Sequence, residues 1–286
     1  FLSYSASNAA FTGNSGTILT VKVKGATTLT VGDKLSASIS GVDLTTPSTQ
    51  KVNPANVGFQ LNISEPAYTE LRDDAGDAPT ASDGPVNVRV TRTLKPNVWN
   101  TICLPFGMTA EQMTEALGDN VELGDFAGCT TTKEGDDVTG ITVNFTAVTE
   151  MEANHPYIIK ITSDSEEAIE QFIVNGVTIE QPANNPSVNK DPQTVEVQGT
   201  DVTLYNKFVG SYVAGTTLKK NKLFLNGGKF YYTVDNTKTM KAFRGYFDFY
   251  DVLAEVNSAP SRMRIVFDGE ATGVETVQAQ DGETGV

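Results

Sequence analysis

The chain of 286 residues is acidic, because 21 Lys and Arg side chains against 35 Asp and Glu give a net charge of −14. This charge repels the phosphates of nucleic acids and the anionic surface of membranes, so neither is an expected partner. One histidine and two cysteines are too few for a polyhistidine or four-thiolate zinc site. No run of about 20 apolar residues occurs, so no membrane-spanning helix is expected. The length indicates two domains.

The first 66 residues show the period-two pattern of β-strands. Apolar residues alternate with polar ones in three stretches: Leu19/Val21/Val23, Leu35/Ala37/Ile39 and Val57/Phe59/Leu61/Ile63. One apolar and one polar face per strand is typical of a sheet in a β-sandwich. So few strands bury only a thin core. We therefore expect residues 1–66 to be the later part of a β-domain whose beginning is missing.

Residues 67–85 have the composition of an acidic linker, with aspartates among Gly, Ala, Ser and Pro. Clustered carboxylates also suit calcium, the one cofactor that the sequence brings into question. The candidate ligands are Asp73, Asp74, Asp77 and Asp83. The segment lacks the spacing of a calcium-binding loop and its distal glutamate, so the linker interpretation is favoured.

Residues 86–270 predict a larger β-domain, because many short alternating stretches are separated by turn residues. The exception is a helix between Thr109 and Gly118, with Thr109 as N-cap, Gln112 completing a capping box and Gly118 ending the helix. Residues 271–286 lack apolar periodicity and predict a mobile tail. The predicted fold class is all-β, with two antiparallel β-sandwich (jelly-roll-like) units and one short helix.

Five strings occur in a fixed order between residues 98 and 274. They are VWNTICLPF (98–106), ANHPYIIK (153–160), LFLNGGKFYYT (223–233), MKAFRGYFDF (240–249) and RIVFDGEATGV (264–274). Together they resemble the C-terminal β-domain of secreted and surface proteins of gut anaerobic bacteria. The string FTGNSGTILTVKVKG (11–25) is similar to the later strands of a cohesin-like or carbohydrate-module-like β-sandwich. This resemblance implies that residues 1–66 are a partial cohesin-like or immunoglobulin-like β-sandwich.

The resemblance implies an extracellular or outer cell-surface location, in a longer precursor with other domains that continues beyond Gly285-Val286. It implies a role in adhesion, with a glycan or a host or matrix protein as the partner. It supplies no catalytic residue, so the chain is expected not to be an enzyme. The alternative is a glycoside-active enzyme or an accessory module of a polysaccharide-degrading system, since 35 acidic residues allow many carboxylate pairs.

Nucleophilic catalysis would have to involve His155, the single histidine. His155 precedes Pro156, which favours an extended conformation and a structural role at the entry of a strand. Cys103 and Cys129 can form a disulfide in an exported protein, but Cys103 lies among apolar residues, as buried free thiols do. The pairing of the two cysteines stays open at this point.

Eight of the 24 aromatic residues lie between positions 230 and 250. On a strand spanning 242–250, Phe243, Phe247 and Phe249 are predicted to face the core. The opposite face would carry Arg244, Tyr246, Asp248 and Tyr250. Tyrosine rings can stack on a sugar, and charged groups can bond its hydroxyls, so these four are the predicted ligand-binding residues. The plainer interpretation, which is favoured, is a second packed face or a domain contact.

Overall fold

A computed structural model describes residues 33–40, 44–45, 50–52, 55–62, 67–135, 137–250, 262–275 and 278–280. The chain divides into two compact units, Phe1–Ala67 and Tyr68–Val286. The described residues are mostly β with a single helix, so the all-β prediction is confirmed. The strand predicted at Leu19, Val21 and Val23 lies outside the described residues.

The described residues of the first unit form two small antiparallel pairs of strands. Its strands are β1 (Lys34–Ile39), β2 (Leu44–Thr45), β3 (Lys51–Val52) and β4 (Val57–Asn62). β1 pairs with β4, which places Ala37 opposite Phe59, and β2 pairs with β3. Two of the three predicted strands are therefore confirmed. Their apolar side chains Leu35, Ile39, Val57 and Phe59 remain exposed, so the described residues of this unit do not bury that face.

The second unit holds the remaining elements. The first nine are β5 (Thr69–Arg72), β6 (Val86–Leu94), β7 (Asn100–Leu104), α1 (Ala110–Leu117), β8 (Val121–Glu134), β9 (Asp137–Val148), β10 (His155–Ile161), β11 (Ile169–Val177) and β12 (Ser187–Val197). The others are β13 (Thr200–Ser211), β14 (Thr216–Thr217), β15 (Leu223–Asn226), β16 (Lys229–Thr233), β17 (Thr239–Met240), β18 (Arg244–Asp248), β19 (Arg262–Phe267), β20 (Glu270–Glu275) and β21 (Gln278–Gln280).

These strands form two six-stranded sheets and two smaller ones. The first six-stranded sheet has the order β20-β19-β9-β8-β10-β7, and the second has the order β12-β13-β18-β15-β16-β21. A three-stranded sheet has the order β11-β6-β5, and β14 pairs with β17.

The sheets are mixed, which corrects the prediction of purely antiparallel units. β5 with β6, β9 with β19, and β16 with β21 are parallel pairs. Parallel neighbours need a long crossover rather than a hairpin, and residues 73–85 provide one between β5 and β6. Turn residues specify antiparallel pairing only between strands that are adjacent in the chain, so the sequence carried no signal for these three pairs.

The two six-stranded sheets share a core of phenylalanine side chains. Phe126 and Phe145 come from the first six-stranded sheet, and Phe208 and Phe247 from the second. The centroids of the Phe145 and Phe208 rings are 6.1 Å apart at an interplanar angle of 83°, and Phe208 stacks on Phe247 at 4.5 Å. A Cβ at Gly245 would lie 2.5 Å from Phe208 Cε2. Only glycine therefore lets the Phe208 ring lie against β18.

The segment predicted as a linker, residues 67–85, belongs to the second unit from Tyr68 onward. β5 bonds to β6, Leu71 is buried, and the Ser82 N–H donates to the Ile179 carbonyl at 2.9 Å. The linker prediction is corrected for these residues. Main-chain hydrogen bonds and a single apolar anchor hold the segment, so its polar composition was misleading.

The predicted mobile tail, residues 271–286, is also corrected where it is described. β20 pairs with β19 at the edge of the first six-stranded sheet, and β21 pairs with β16 at the edge of the second. Edge pairing uses main-chain groups and needs no buried apolar face. The absence of apolar periodicity therefore did not exclude these strands.

The helix α1 confirms its predicted caps. The Thr109 Oγ1 accepts from the Gln112 N–H at 3.3 Å, and the Gln112 Oε1 accepts from the Thr109 N–H at 3.0 Å. Gly118 follows the helix with φ of 96°, and Met113 and Leu117 are its buried residues. Within the described residues no helix is long and apolar enough to cross a membrane.

We predict that Thr109→Ala lowers the free energy of unfolding by about 1 kcal/mol, because it removes the hydroxyl that caps α1. Urea denaturation followed by circular dichroism measures the change. Thr114→Ala is the matched control, since Thr114 is exposed within the same helix, where alanine has the higher helix propensity. Equal losses in both variants would contradict the role of the cap.

Candidate functional site

The residues of β18 alternate between the core and the opposite face, as predicted. Gly245, Phe247 and Phe249 are buried. The four predicted ligand-binding residues are only partly buried: Arg244, Tyr246, Asp248 and Tyr250. The strand ends at Asp248, and Tyr250 is held just beyond it by its main-chain N–H, which donates to the Asn206 Oδ1 at 3.0 Å.

Phe243 departs from the predicted pattern. It is buried, but it packs against Tyr212 in a different apolar cluster from Phe247. Its φ of 59° is left-handed, which ends the alternation before β18 begins and is costly for a bulky residue. Hydrogen bonds hold this conformation: the Phe243 N–H donates to Ser211 at 2.7 Å, and its carbonyl accepts from the Arg92 guanidinium.

Two of the predicted ligand-binding residues form ion pairs within the unit. Arg244 Nη2 lies 3.1 Å from Asp73 Oδ2, and Lys222 Nζ lies 2.5 Å from Asp248 Oδ1. Tyr246 packs beside a small apolar group made of Leu218, Phe224 and Met240. Burial raises the pKa of Tyr246. The packing interpretation therefore holds for one end of this face.

The face from Tyr246 onward is partly exposed to solvent. Lys207 of β13 lies directly opposite Asp248, beside the Lys222–Asp248 ion pair. We call Lys207, Lys222, Tyr246, Asp248 and Tyr250 the β18 outer face; each of them is partly exposed. Sequence reasoning missed the two lysines because β18 alone does not reveal which neighbours its register places beside it.

Arg92 is a second residue that sequence reasoning missed. It is 1% exposed, on the same buried face of β6 as Val88, Val90 and Leu94. Its guanidinium donates to the main-chain carbonyls of Phe243 and Thr101. A signal was present: the period of two that places the neighbouring valines in the core also places Arg92 there.

The calcium hypothesis concerned four aspartates: Asp73, Asp74, Asp77 and Asp83. Asp73 instead accepts from Lys241 at 3.3 Å and from Arg244 at 3.1 Å. Asp74 accepts from the Arg72 Nη2 at 2.9 Å, and this hydrogen bond lowers the pKa of Asp74. Among the described residues no three His, Cys, Asp or Glu side chains are grouped to hold a metal. The prediction of a calcium site at these aspartates is therefore corrected, because basic side chains occupy the carboxylates of Asp73 and Asp74.

His155 begins β10, as expected of a histidine at the entry of a strand. Its Nε2 lies 2.7 Å from Asp125 Oδ1, and its ring centroid lies 4.5 Å from that of Tyr157. In the part of the chain that the structure describes, no hydroxyl or thiol is hydrogen-bonded to this imidazole. The arrangement provides a base and an orienting carboxylate but no positioned nucleophile.

Both cysteines are free thiols, which answers the open question of their pairing. Cys103 is buried, and its Sγ lies 3.6 Å from the Tyr212 hydroxyl. Burial raises the pKa of Cys103 to about 12. Burial and the nearby Asp191 raise the pKa of Cys129 to about 12 as well. Because the thiolate is the nucleophilic form, neither cysteine suits covalent catalysis.

Comparison with known proteins finds no match among family models, curated proteins or solved structures. The resemblance to surface β-domains of gut bacteria therefore stays a hypothesis.

We predict that iodoacetamide at pH 8 modifies the folded protein very slowly and the urea-unfolded protein at two thiols. With a pKa of about 12, the thiolate fraction at pH 8 is about 10⁻⁴, and it rises as unfolding returns the pKa toward its usual value. Mass spectrometry without reductant counts the modified sites. An unfolded chain that resists modification would show a disulfide, and fast labelling of the folded chain would contradict the raised pKa values.

Proposed function

We propose that the protein is a non-catalytic extracellular or cell-surface binding protein whose ligand is a glycan bound at the β18 outer face. The observation that carries this proposal is the half-buried Tyr246, which shares a face of β18 with the Asp248 of the Lys222–Asp248 ion pair. The half-buried Tyr250 follows two residues beyond the end of the strand. A tyrosine ring stacks on the apolar C–H face of a sugar, and carboxylate and ammonium groups bond its hydroxyls. The phenylalanines on the inner side of β18 are buried in the core behind this surface.

The rigid scaffold is, in our proposal, an antiparallel-rich sandwich of jelly-roll type formed by the two six-stranded sheets. The support is the cross-sheet packing of phenylalanine rings, such as Phe126 against Phe208 at 6.2 Å. In the same proposal the first unit is a cohesin-like or immunoglobulin-like sandwich. Such folds present binding surfaces on sheet faces and end loops while the core stays fixed.

The extracellular location and the adhesive role rest on the resemblance carried by the five strings. In the structure these strings fall mainly on β7, β10, β15, β16, β18, β19 and β20. The resemblance thus involves strand residues of the second unit rather than variable connections.

The state of the groups that nucleophilic catalysis would need supports a non-catalytic role. Among the described residues no hydroxyl or thiol is hydrogen-bonded to the His155 imidazole, and both thiols have a raised pKa. The alternative is a glycoside-active enzyme, which requires two facing carboxyl groups with a free site between them. Among the described residues, the carboxylates of Asp73 and Asp248 are each paired with lysine or arginine.

We predict that a glycan array with the intact protein finds a ligand and that Tyr250→Ala weakens its binding about tenfold, as expected from a lost stacking contact. Isothermal titration calorimetry measures the affinity. Tyr68→Ala is the matched control, because Tyr68 is also half-buried but lies against Arg89 beside β5. Its affinity should be unchanged.

Three results would overturn this proposal. The array and a survey of host-matrix proteins could both be empty. The Tyr250 and Tyr68 variants could lose affinity equally. Alternatively, the purified protein could turn over a glycoside, with activity abolished by one Asp or Glu substitution, which would favour the enzyme.

A further inference from the structure

A cavity of about 140 Å³ lies in the second unit, where β6 and β7 meet the turn between β15 and β16. Four basic residues line it: Arg92, Lys95, Lys241 and Arg244. None of the residues found lining the cavity is acidic, although the protein as a whole carries a charge of −14. Positive charge is therefore concentrated at one place on an acidic protein.

The positive charges of this cavity are only partly balanced. Asp73 pairs with Lys241 and Arg244. Arg92 and Lys95 form no ion pair within the part of the chain that the structure describes. Asp73 thus pairs with two of the four cations of the cavity.

Arg92 shows the imbalance most clearly. Its Nη atoms donate to main-chain carbonyls, which are neutral acceptors, and its buried Nε has no hydrogen-bond partner among the described residues. Within the same residues, the buried Nε of Arg244 is also without a partner. Burial and the nearby Arg244 charge lower the pKa of Arg92. A buried cation without a counter-charge is strongly unfavourable, and an anion in the cavity would relieve this cost.

We propose that the cavity binds one small oxyanion, namely a sulfate, phosphate or carboxylate group carried by a larger molecule. Guanidinium groups present paired N–H donors that match the oxygens of such groups. One water occupies roughly 30 Å³ in the liquid, so a cavity of about 140 Å³ has room for only a few heavy atoms. This volume suits the oxyanion group alone and not the larger molecule that carries it. Lys95 is exposed, which leaves the cavity accessible to a ligand from solvent. This site does not depend on glycan binding at the β18 outer face.

The test measures the binding of three sodium salts to the intact protein by calorimetry: sulfate, phosphate and glucuronate. Sodium chloride at the same ionic strength is the reference, because it screens charges without supplying an oxyanion. We expect at least one of the three to bind with a stoichiometry of one. The salt that binds most tightly identifies the class of oxyanion. If the protein bound no glycan on the array, this result would be unaffected.

Charge-neutralising variants locate the site. Lys95→Gln and Arg244→Gln should each weaken binding about tenfold, because each removes a charged donor from the cavity. Lys229→Gln is the matched control: Lys229 is exposed at the start of β16 but does not line the cavity, so its variant should change affinity less than about twofold. Lys95 is exposed, so its substitution leaves the core intact. Binding of none of the salts, or equal losses in the Lys95 and Lys229 variants, would overturn the proposal.

Discussion

The packing of phenylalanine rings between the two six-stranded sheets is the constraint on which the second unit depends. Phe126 and Phe145 meet Phe208 and Phe247 there, and aromatic pairs in such contacts contribute about 0.5–1.5 kcal/mol each beyond their burial. Because side chains alternate along a strand, fixing Phe247 in this core directs its neighbours to the opposite face. The same constraint explains Gly245, since a Cβ there would collide with the Phe208 ring. The β18 outer face is therefore a consequence of the core.

Charged groups organise the chain just before β18. Arg92 holds the carbonyl of Phe243, whose left-handed backbone moves the chain from one apolar cluster to the other. Asp73 pairs with both Lys241 and Arg244, on either side of Phe243. The segment that resembled a linker thus supplies the carboxylate that this connection requires. The remaining excess of positive charge distinguishes this region from the acidic surface of the protein.

The features that the sequence predicted are those with local causes. The caps of α1 lie within ten residues, and the alternation of β18 follows from the parity of its residues. The features that it missed depend on distant partners: the parallel pairs, the strands in the supposed linker and tail, and the lysines beside Asp248. The four aspartates illustrate the difference. Their closeness in the sequence indicated a cluster, whereas basic side chains far along the chain decide what Asp73 binds. Arg92 lies between these two cases. The alternation of β6 places its side chain in the core, but it does not reveal that the main-chain carbonyls of Thr101 and Phe243 accept its hydrogen bonds.

A double-mutant cycle on Phe145 and Phe208 tests most directly whether the two six-stranded sheets share one core. The free energies of unfolding of Phe145→Leu, Phe208→Leu and the double variant are compared by urea denaturation. A shared core predicts a coupling energy of about 0.5–1.5 kcal/mol. The cycle of Phe145 with Phe172, which lies in the other apolar cluster, should be additive within about 0.5 kcal/mol. Additivity in both cycles would contradict the shared core and the rigid β18 outer face that depends on it.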